Sequence, residues 1–280
     1  MALTLTEVAF DYAEGTAVAQ PALDGVTLSV SPGECVVVMG PSGSGKTTLL
    51  RIAAGLLSAT RGEVTVDGTA AGARGADAFR GVVGLAFQRP ETQFFAATVL
   101  EDVAFGPRNL GYGERASVAA RSALELVGLS PDLFADRSPF TLSGGEARRA
   151  ALAGVLAMSP RYLLLDEPTS GLDASGRRAV SETMARVRPT TGVVVVTHDA
   201  GEFLGMADRV LVLNEGATAF AGGVDRLLAT ADRLEAERVW MPPEHVRAQL
   251  LAMRAGHFPG PPVLDPLSAA ESLLASGGVA

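Results

Sequence analysis

The sequence predicts an α/β fold in which a mostly parallel sheet surrounds a phosphate-binding loop, with a flanking antiparallel β subdomain, an inserted helical subdomain and a small helical C-terminal extension. Three observations predict it. Short apolar runs suited to strands buried on both faces stand at 35–39, 82–87, 162–165 and 193–196, and each ends in glycine or polar residues. The first runs into Gly40-Pro41-Ser42-Gly43-Ser44-Gly45-Lys46-Thr47-Thr48, which fills the pattern G-x-x-x-x-G-K-[ST] and is followed by helix-type sequence at 49–54. Between the second and third runs, residues 91–158 turn helical in character.

Strand, glycine loop and helix are the context the motif needs to hold a nucleoside triphosphate. Glycines at 40, 43 and 45 let backbone N–H groups curl around phosphate oxygens, and the helix opening near Lys46 turns its positive dipole end toward them. Lys46 is expected at the terminal phosphates and Thr47 as a ligand of Mg²⁺. Of 23 basic residues, 22 are arginine and Lys46 is the sole lysine. A compact ammonium fits inside a loop that a planar guanidinium would overfill.

The whole chain, 280 residues with 48% hydrophobic and 19% charged, has room for one large or two modest domains with a substantial core. A net charge of −8 and a pI near 5.0 disfavour a broad basic surface, so nucleic acid is not expected as a partner. Cys35 is the sole cysteine and lies in an apolar run, which excludes an internal disulfide and suggests a buried thiol in a reducing compartment, the cytosol. No apolar run approaches the roughly 18 residues of a spanning helix, and the N-terminus lacks a signal-peptide layout. Any membrane role is therefore expected to come through a partner.

Taken in order, residues 3–10 alternate imperfectly, 26–30 alternate cleanly, and 62–68 form a short strand bounded by glycines, the antiparallel sheet beside the core. Tyr12 is placed between the first two strands, where its ring would stack on a base. Gln88, at the C-terminal end of the run at 82–87, is placed to touch a metal or attacking water. In the helical insertion Thr98 and Glu101 have capping-box spacing, 116–127 has helical periodicity and ends at Gly128, and Pro107, Gly111 and Gly113 act as breakers. The strand runs at 162–165 and 193–196 end in Asp166-Glu167 and Thr197-His198-Asp199. In a parallel sheet these ends share an edge with the phosphate loop, so distant segments converge on one crevice. Residues 210–213 and the Asn214-Glu215-Gly216 turn close the core. Beyond Gly222-Gly223, helices are expected at 225–238 and 244–254, His245 and His257 as surface residues, and a frayed tail from about Ser276.

A second anion-binding surface stands at Leu142-Ser143-Gly144-Gly145-Glu146, ahead of an alanine-rich helix. Ser143 and Glu146 have capping-box spacing, and two glycines leave helix-end N–H groups uncovered. Its simplest use is to cover the γ-phosphate held by another subunit.

With these residues in hand, the chain resembles the nucleotide-binding subunit of an ATP-binding cassette transporter over roughly residues 3–222: the phosphate loop, the Gln88 loop, the signature at 142–146, Asp166-Glu167-Pro168, Ser170-Gly171-Leu172-Asp173 and His198, in that order. The resemblance implies a P-loop NTPase core in a nucleotide-binding domain over 1–222, with the helical subdomain at about 91–158, and an extension over 223–280. It also implies that Asp166 holds Mg²⁺ through water, Glu167 polarises the attacking water, His198 contacts the γ-phosphate, and Ser170 to Asp173 form a loop at a dimer contact. The ATP and Mg²⁺ would be shared between two ATPase subunits. Glu146 departs from the glutamine common in the family, and as a capping partner of Ser143 it is expected to leave activity intact.

A narrower resemblance, in 87–95 and 98–107, is to the ATPases of energy-coupling-factor importers, which serve vitamins, cobalt or nickel. It implies a transmembrane coupling protein, a substrate-binding membrane subunit and a place at the cytoplasmic face of the membrane. The alternatives are another transporter class, such as an exporter, or a soluble non-transport cassette ATPase. The last would need a coiled-coil insertion or tandem cassettes, and the sequence shows neither.

Overall fold

The computed structural model describes residues 1–12, 20–71, 75–87, 93–198, 200–255, 261–264 and 268–269. In chain order its main elements are β1 (Leu3–Tyr12), β2 (Gln20–Val30), β3 (Cys35–Met39), α1 (Lys46–Ala53), β4 (Arg61–Val66), β5 (Thr69–Ala70) and β6 (Val83–Ala86). The helical insertion follows as α2 (Val99–Asn109), α3 (Arg115–Leu126), the single turn α4 (Pro131–Phe134) and α5 (Gly144–Leu156). The chain then returns to the core with β7 (Tyr162–Asp166), α6 (Ala174–Val187), β8 (Gly192–Val196), β9 (Arg209–Asn214) and β10 (Ala217–Gly222), and ends in α7 (Val224–Ala229), α8 (Ala231–Ala236) and α9 (Glu244–Arg254).

Among the described residues the main sheet runs β10-β9-β3-β8-β7-β6, parallel throughout except for the β9–β10 hairpin. The second sheet is antiparallel, in the order β2-β1-β4-β5. Every residue of β3, β7 and β8 is buried, as strands covered on both faces must be. Because side chains alternate along a strand, the main sheet feeds two cores. Val36, Val38, Leu164, Val194, Val196, Leu211 and Leu213 pack with α1 and the antiparallel sheet. Val37, Met39, Leu163, Leu165, Val193, Val195, Val210 and Val212 pack with α2, α3, α5, α6 and the C-terminal helices. Truncating one of these, such as Leu164 to alanine, would cost about 2–5 kcal/mol.

Local signals place the helix ends. Thr98 caps α2 with both bonds of a capping box, its hydroxyl accepting from Glu101 N and its own N–H donating to Glu101. Pro107 does not break α2: in the last turn its missing N–H removes the usual helix bond to one upstream carbonyl, that of Val103, while its own carbonyl still accepts from Leu110 and Tyr112, and the helix runs on to Asn109.

Three other expectations are corrected, and the turn expected at 214–216 is present and leads into a further strand. Tyr12 is the last residue of β1, paired with Gln20, rather than part of a connection between strands. The helix expected at 225–238 is two, because Thr230 turns its hydroxyl back onto the carbonyls of Arg226 and Leu227 and leaves helical geometry there. The turn after β9 is a hairpin into β10, with φ 48° at Glu215 and 81° at Gly216, the two positive angles a tight hairpin requires. His245 is half-buried and bonds the Leu264 carbonyl at 2.8 Å, so it is a packing residue. His257 and the tail from Ser276 lie outside the described residues.

Candidate functional site

The loop between β3 and α1 is shaped by glycines that cannot be replaced in place. Gly40 has φ 141°, and a Cβ there would lie 2.1 Å from the Leu213 carbonyl oxygen. Gly45, the N-cap of α1, has φ 98°, and its Cβ would lie 2.4 Å from the Ala22 carbonyl oxygen. The loop thus bends tightly against β2 and β9, and its helix opens without a side-chain cap on its first N–H groups.

Lys46 is 9% exposed and folds into the loop, donating from Nζ to Gly40 O at 2.9 Å and Pro41 O at 2.8 Å. Burial lowers its pKa, and the carboxylates of Glu167 and Asp166 oppose that shift. The ammonium is therefore held by carbonyl dipoles, a position from which it can exchange those oxygens for phosphate oxygens. Thr47 donates from Oγ1 to Asp166 Oδ2 at 3.1 Å, which brings the end of β7 to the start of α1. Asp166 is buried, and that burial raises its pKa while the Thr47 bond lowers it. A buried carboxylate beside a hydroxyl is a donor set suited to a hard cation that keeps waters and phosphate ligands.

Glu167 follows Asp166 with φ 51°, a left-handed conformation that costs a non-glycine residue about 1–3 kcal/mol. Backbone bonds hold it there: its N–H donates to Val196 O at 2.9 Å, and its carbonyl accepts from Ser170 N at 3.2 Å. The side chain meets His198 across 2.7 Å, Oε2 to Nδ1. The ends of β3, β7 and β8 thus bring Lys46, Thr47, Asp166, Glu167 and His198 to one edge of the main sheet.

Tyr12 lies against the same loop, its hydroxyl 3.1 Å from Thr48 Oγ1 and its ring edge-on to Phe10 at 4.9 Å. Gln88, after β6, lies outside the described residues.

The Ser143 end of α5 carries a complete capping box: Ser143 N donates to Glu146 Oε2 at 2.8 Å, and Glu146 N to Ser143 Oγ at 3.3 Å. Hydrogen bonds to the Glu146 carboxyl from the Ser143 backbone N–H, chiefly, and from its side chain hold that carboxyl below its usual range. No atom lies within 4 Å of where a Cβ would stand on Gly144, while Leu172 comes within 3.7 Å of that position on Gly145. Asp173 N-caps α6, its Oδ1 accepting from Gly176 N at 2.8 Å and Ser175 Oγ at 3.1 Å. The loop Ser170-Gly171-Leu172-Asp173 therefore runs between the Glu167 turn and the start of α6, next to the start of α5. Core packing puts α1 and α5 on opposite faces of the main sheet.

Sequence reasoning passed over two residues in this neighbourhood. Arg177, on the first turn of α6, pairs with Glu202 at 3.1 Å, in the segment after His198. A pair so far apart in the chain leaves no periodic or spacing signal.

Comparison with known proteins gives the following. The family described as ABC transporter matches residues 23–170. The chain is 46% identical to the energy-coupling factor transporter ATP-binding protein EcfA2 of Symbiobacterium thermophilum, over 92% of this chain and 91% of that one. Among solved structures it is similar to cbiO1 from Clostridium perfringens, described as part of the ABC transporter complex cbiONQ, with 30% identity, a TM-score of 0.72, and coverage of 91% of this chain and 97% of that one. It is similar as well to a dimeric post-hydrolysis state of the ATP-binding cassette MJ0796 bound to ADP and Pi, with 31% identity, a TM-score of 0.72, and coverage of 80% of this chain and 99% of that one.

Proposed function

The chain belongs to the ABC transporter family, and from that premise we propose that it works in pairs as the ATP-hydrolysing subunit of an energy-coupling factor importer. It is an ATPase that energises a membrane transporter. Among the described residues no helix is long and apolar enough to cross a membrane, so the membrane path would belong to partners. We assign those partners as a second ATPase subunit, the same chain or a paralogue, a transmembrane coupling protein, and a substrate-binding membrane subunit. Phe95, seven residues beyond Gln88 in the chain, and Phe105 are exposed and edge-to-face at 4.7 Å, and they offer that coupling protein an apolar contact. The chain would then sit at the cytoplasmic face of the membrane.

In this reading the backbone N–H groups of Ser42 to Thr48 cradle the phosphates, with Lys46 at the β- and γ-oxygens and the Tyr12 ring on the base. Thr47 and Asp166 fit a hydrated Mg²⁺, and Gln88 is proposed to complete its surroundings. Bound with the nucleotide, the ion would supply charge neutralisation to the phosphates. Glu167 orients a water in line with the γ-phosphorus and takes its proton as the new P–O bond forms and the bond to ADP breaks. Before that step His198 turns from Glu167 toward the γ-phosphate, which frees the carboxylate for the water. Positioning and charge neutralisation carry phosphoryl transfer, so no covalent intermediate is needed.

One observation carries the pairing: α1 and α5 lie on opposite faces of one sheet, so a subunit cannot fold its own Ser143-Gly144-Gly145 end over its own loop. A second copy is needed to place that uncovered helix end, with the loop Ser170 to Asp173, against the γ-phosphate. We also place the domain boundary at Gly222-Gly223, with residues 1–222 as the nucleotide-binding part and 223–280 as an extension whose helices pack on the same core.

The test mixes two inactive variants. Lys46→Ala removes the loop's ammonium and Ser143→Arg blocks the helix end, so a mixed pair retains one intact composite site. Hydrolysis returning on mixing is the expected result. A mixture that stays inactive, while wild type mixed with either variant works, would overturn the shared site.

A further inference from the structure

Glu167 and His198 are linked a second way, through the rest of the subunit. From Glu167 the loop passes over the Ser170 N–H bond to the Asp173 cap, and the first turn of α6 follows. There Arg177 Nε reaches Glu202 Oε1 at 3.1 Å. Glu202 ends a short turn, Ala200–Glu202, that starts two positions after His198 in the chain, and His198 Nδ1 returns to Glu167 at 2.7 Å. The contacts close a ring, in which the Arg177–Glu202 pair ties α6 to the histidine segment.

We infer that Arg177 and Glu202 are positioning residues for hydrolysis: the pair transmits the placement of the loop Ser170 to Asp173, set by the second subunit, to His198 and through it to Glu167. The inference rests on the paired-subunit reading above. Several observations favour it over a plain surface ion pair. Exposed pairs contribute about 0–1 kcal/mol, but this one is held at both ends by ordered backbone. Glu202 is 22% exposed in its side chain and precedes the fully buried Phe203, so its segment moves with the core. Arg177 is one turn from Asp173, and its N–H donates to the Asp173 carbonyl at 3.0 Å, so the arginine must shift whenever the cap shifts. A displaced cap therefore pulls on Glu202 and changes how far His198 stands from the carboxylate it touches.

The experiment is a double-mutant cycle on the full-length subunit in its purified transporter complex: Arg177→Met, Glu202→Gln, the double variant, and the conservative Arg177→Lys. Rate against MgATP concentration gives kcat, half-saturation and the Hill coefficient, and thermal unfolding is followed in parallel. Each single variant is expected to lower kcat about tenfold with half-saturation within about twofold, and to bring the Hill coefficient from well above one toward one. The double variant should be no worse than either single one, Arg177→Lys should recover most of the rate, and melting temperatures should barely move. Effects that multiply in the double variant, a Hill coefficient unchanged in the singles, or losses that track melting temperature would overturn the inference. A wild type with a Hill coefficient of one, together with inactive mixtures in the pairing test, would overturn the paired-subunit reading itself. Wild-type cooperativity kept intact in the variants would remove this inference alone.

Discussion

Glu167 holds His198 by a 2.7 Å contact in which the carboxylate is largely enclosed and the imidazole largely open, at 12% and 68% side-chain exposure. The asymmetry says which partner is free to leave. In the proposed mechanism His198 swings to a phosphate while Glu167 stays fixed by its two backbone bonds, which would keep the base in place before nucleotide arrives and release it to water when the ring departs. Glu167→Gln preserves shape and the contact to the ring but cannot take a proton. ATP binding should persist while turnover falls by roughly 10²–10⁴, the usual contribution of a general base. The variant should accumulate as an ATP-bound pair, visible as a shift in size-exclusion chromatography with MgATP. Turnover near wild type would move the base to His198 or to water held at Gln88.

Asp166 gives a prediction with opposite signs for stability and activity. Burial raises its pKa, so the folded chain binds that proton more readily than the unfolded chain. Its favourable contribution is therefore present below the unfolded pKa and lost as pH rises through the raised folded value, and at neutral pH the ionised group burdens the nucleotide-free protein. Asp166→Asn removes the charge and keeps an oxygen for Thr47 Oγ1. Its melting temperature without nucleotide should rise by about 2–4 °C, the effect of roughly 1 kcal/mol in a chain of this size, while Mg²⁺-dependent hydrolysis is lost. In the wild type, MgATP affinity should weaken as pH falls through the raised Asp166 value, read by nucleotide titration across that range. A lower melting temperature in Asp166→Asn would mean that the carboxylate's attraction to Lys46 outweighs its burial.

The glycines of the loop separate two kinds of constraint. At Gly43, φ is 80° and no atom lies within 4 Å of where a Cβ would stand, so alanine meets only the left-handed backbone penalty. That is about 1–2 kcal/mol. At Gly40 the same change adds a Cβ only 2.1 Å from the Leu213 carbonyl oxygen, which belongs to β9 and cannot move without disturbing the sheet. Gly43→Ala should fold and bind ATP with modestly reduced affinity, whereas Gly40→Ala should unfold at markedly lower denaturant or lose binding altogether. Equal losses at the two positions, measured by urea unfolding and nucleotide titration, would show that the backbone angle alone sets the requirement.

Much of this was legible because the relevant signals are local. The runs that become β3, β7 and β8 are short, apolar and followed by polar residues, and Thr98 with Glu101 and Ser143 with Glu146 announce helix starts by spacing alone. Parallel topology then forces their C-terminal ends to one edge. What stayed hidden depends on tertiary contact or weak composition. The strand β10 reads Ala-Thr-Ala-Phe-Ala-Gly, with Phe220 its one buried residue, so small residues gave no period to detect. Tyr12 reaches Thr48, and Arg177 reaches Glu202, only after the sheet has assembled. The inward fold of Lys46 onto Gly40 and Pro41 likewise follows from loop geometry rather than from any pattern.

Cys35 supplies a reporter for the whole assembly. It opens β3 at the end of the strand away from the phosphate loop, is fully buried, and has its thiol pKa pushed up to about 12, chiefly by burial. Only the thiolate alkylates, so at pH 8 the native protein should be nearly inert to iodoacetamide, and modification should proceed through opened molecules. Its backbone N–H is tied to Asp208 Oδ2 at 2.8 Å, and Asp208 is held in turn by Arg188, which makes fraying of this strand end costly. If labelling requires global unfolding, a ligand that binds the native state alone should suppress it by mass action. ATP at about 100 times its Kd should slow alkylation roughly 100-fold, and Lys46→Ala should erase the slowing without exposing the thiol. Labelling that is fast in the native protein, or that ignores ATP in the wild type while ATP binding is confirmed separately, would mean that β3 opens locally at Cys35 without releasing the loop at its other end.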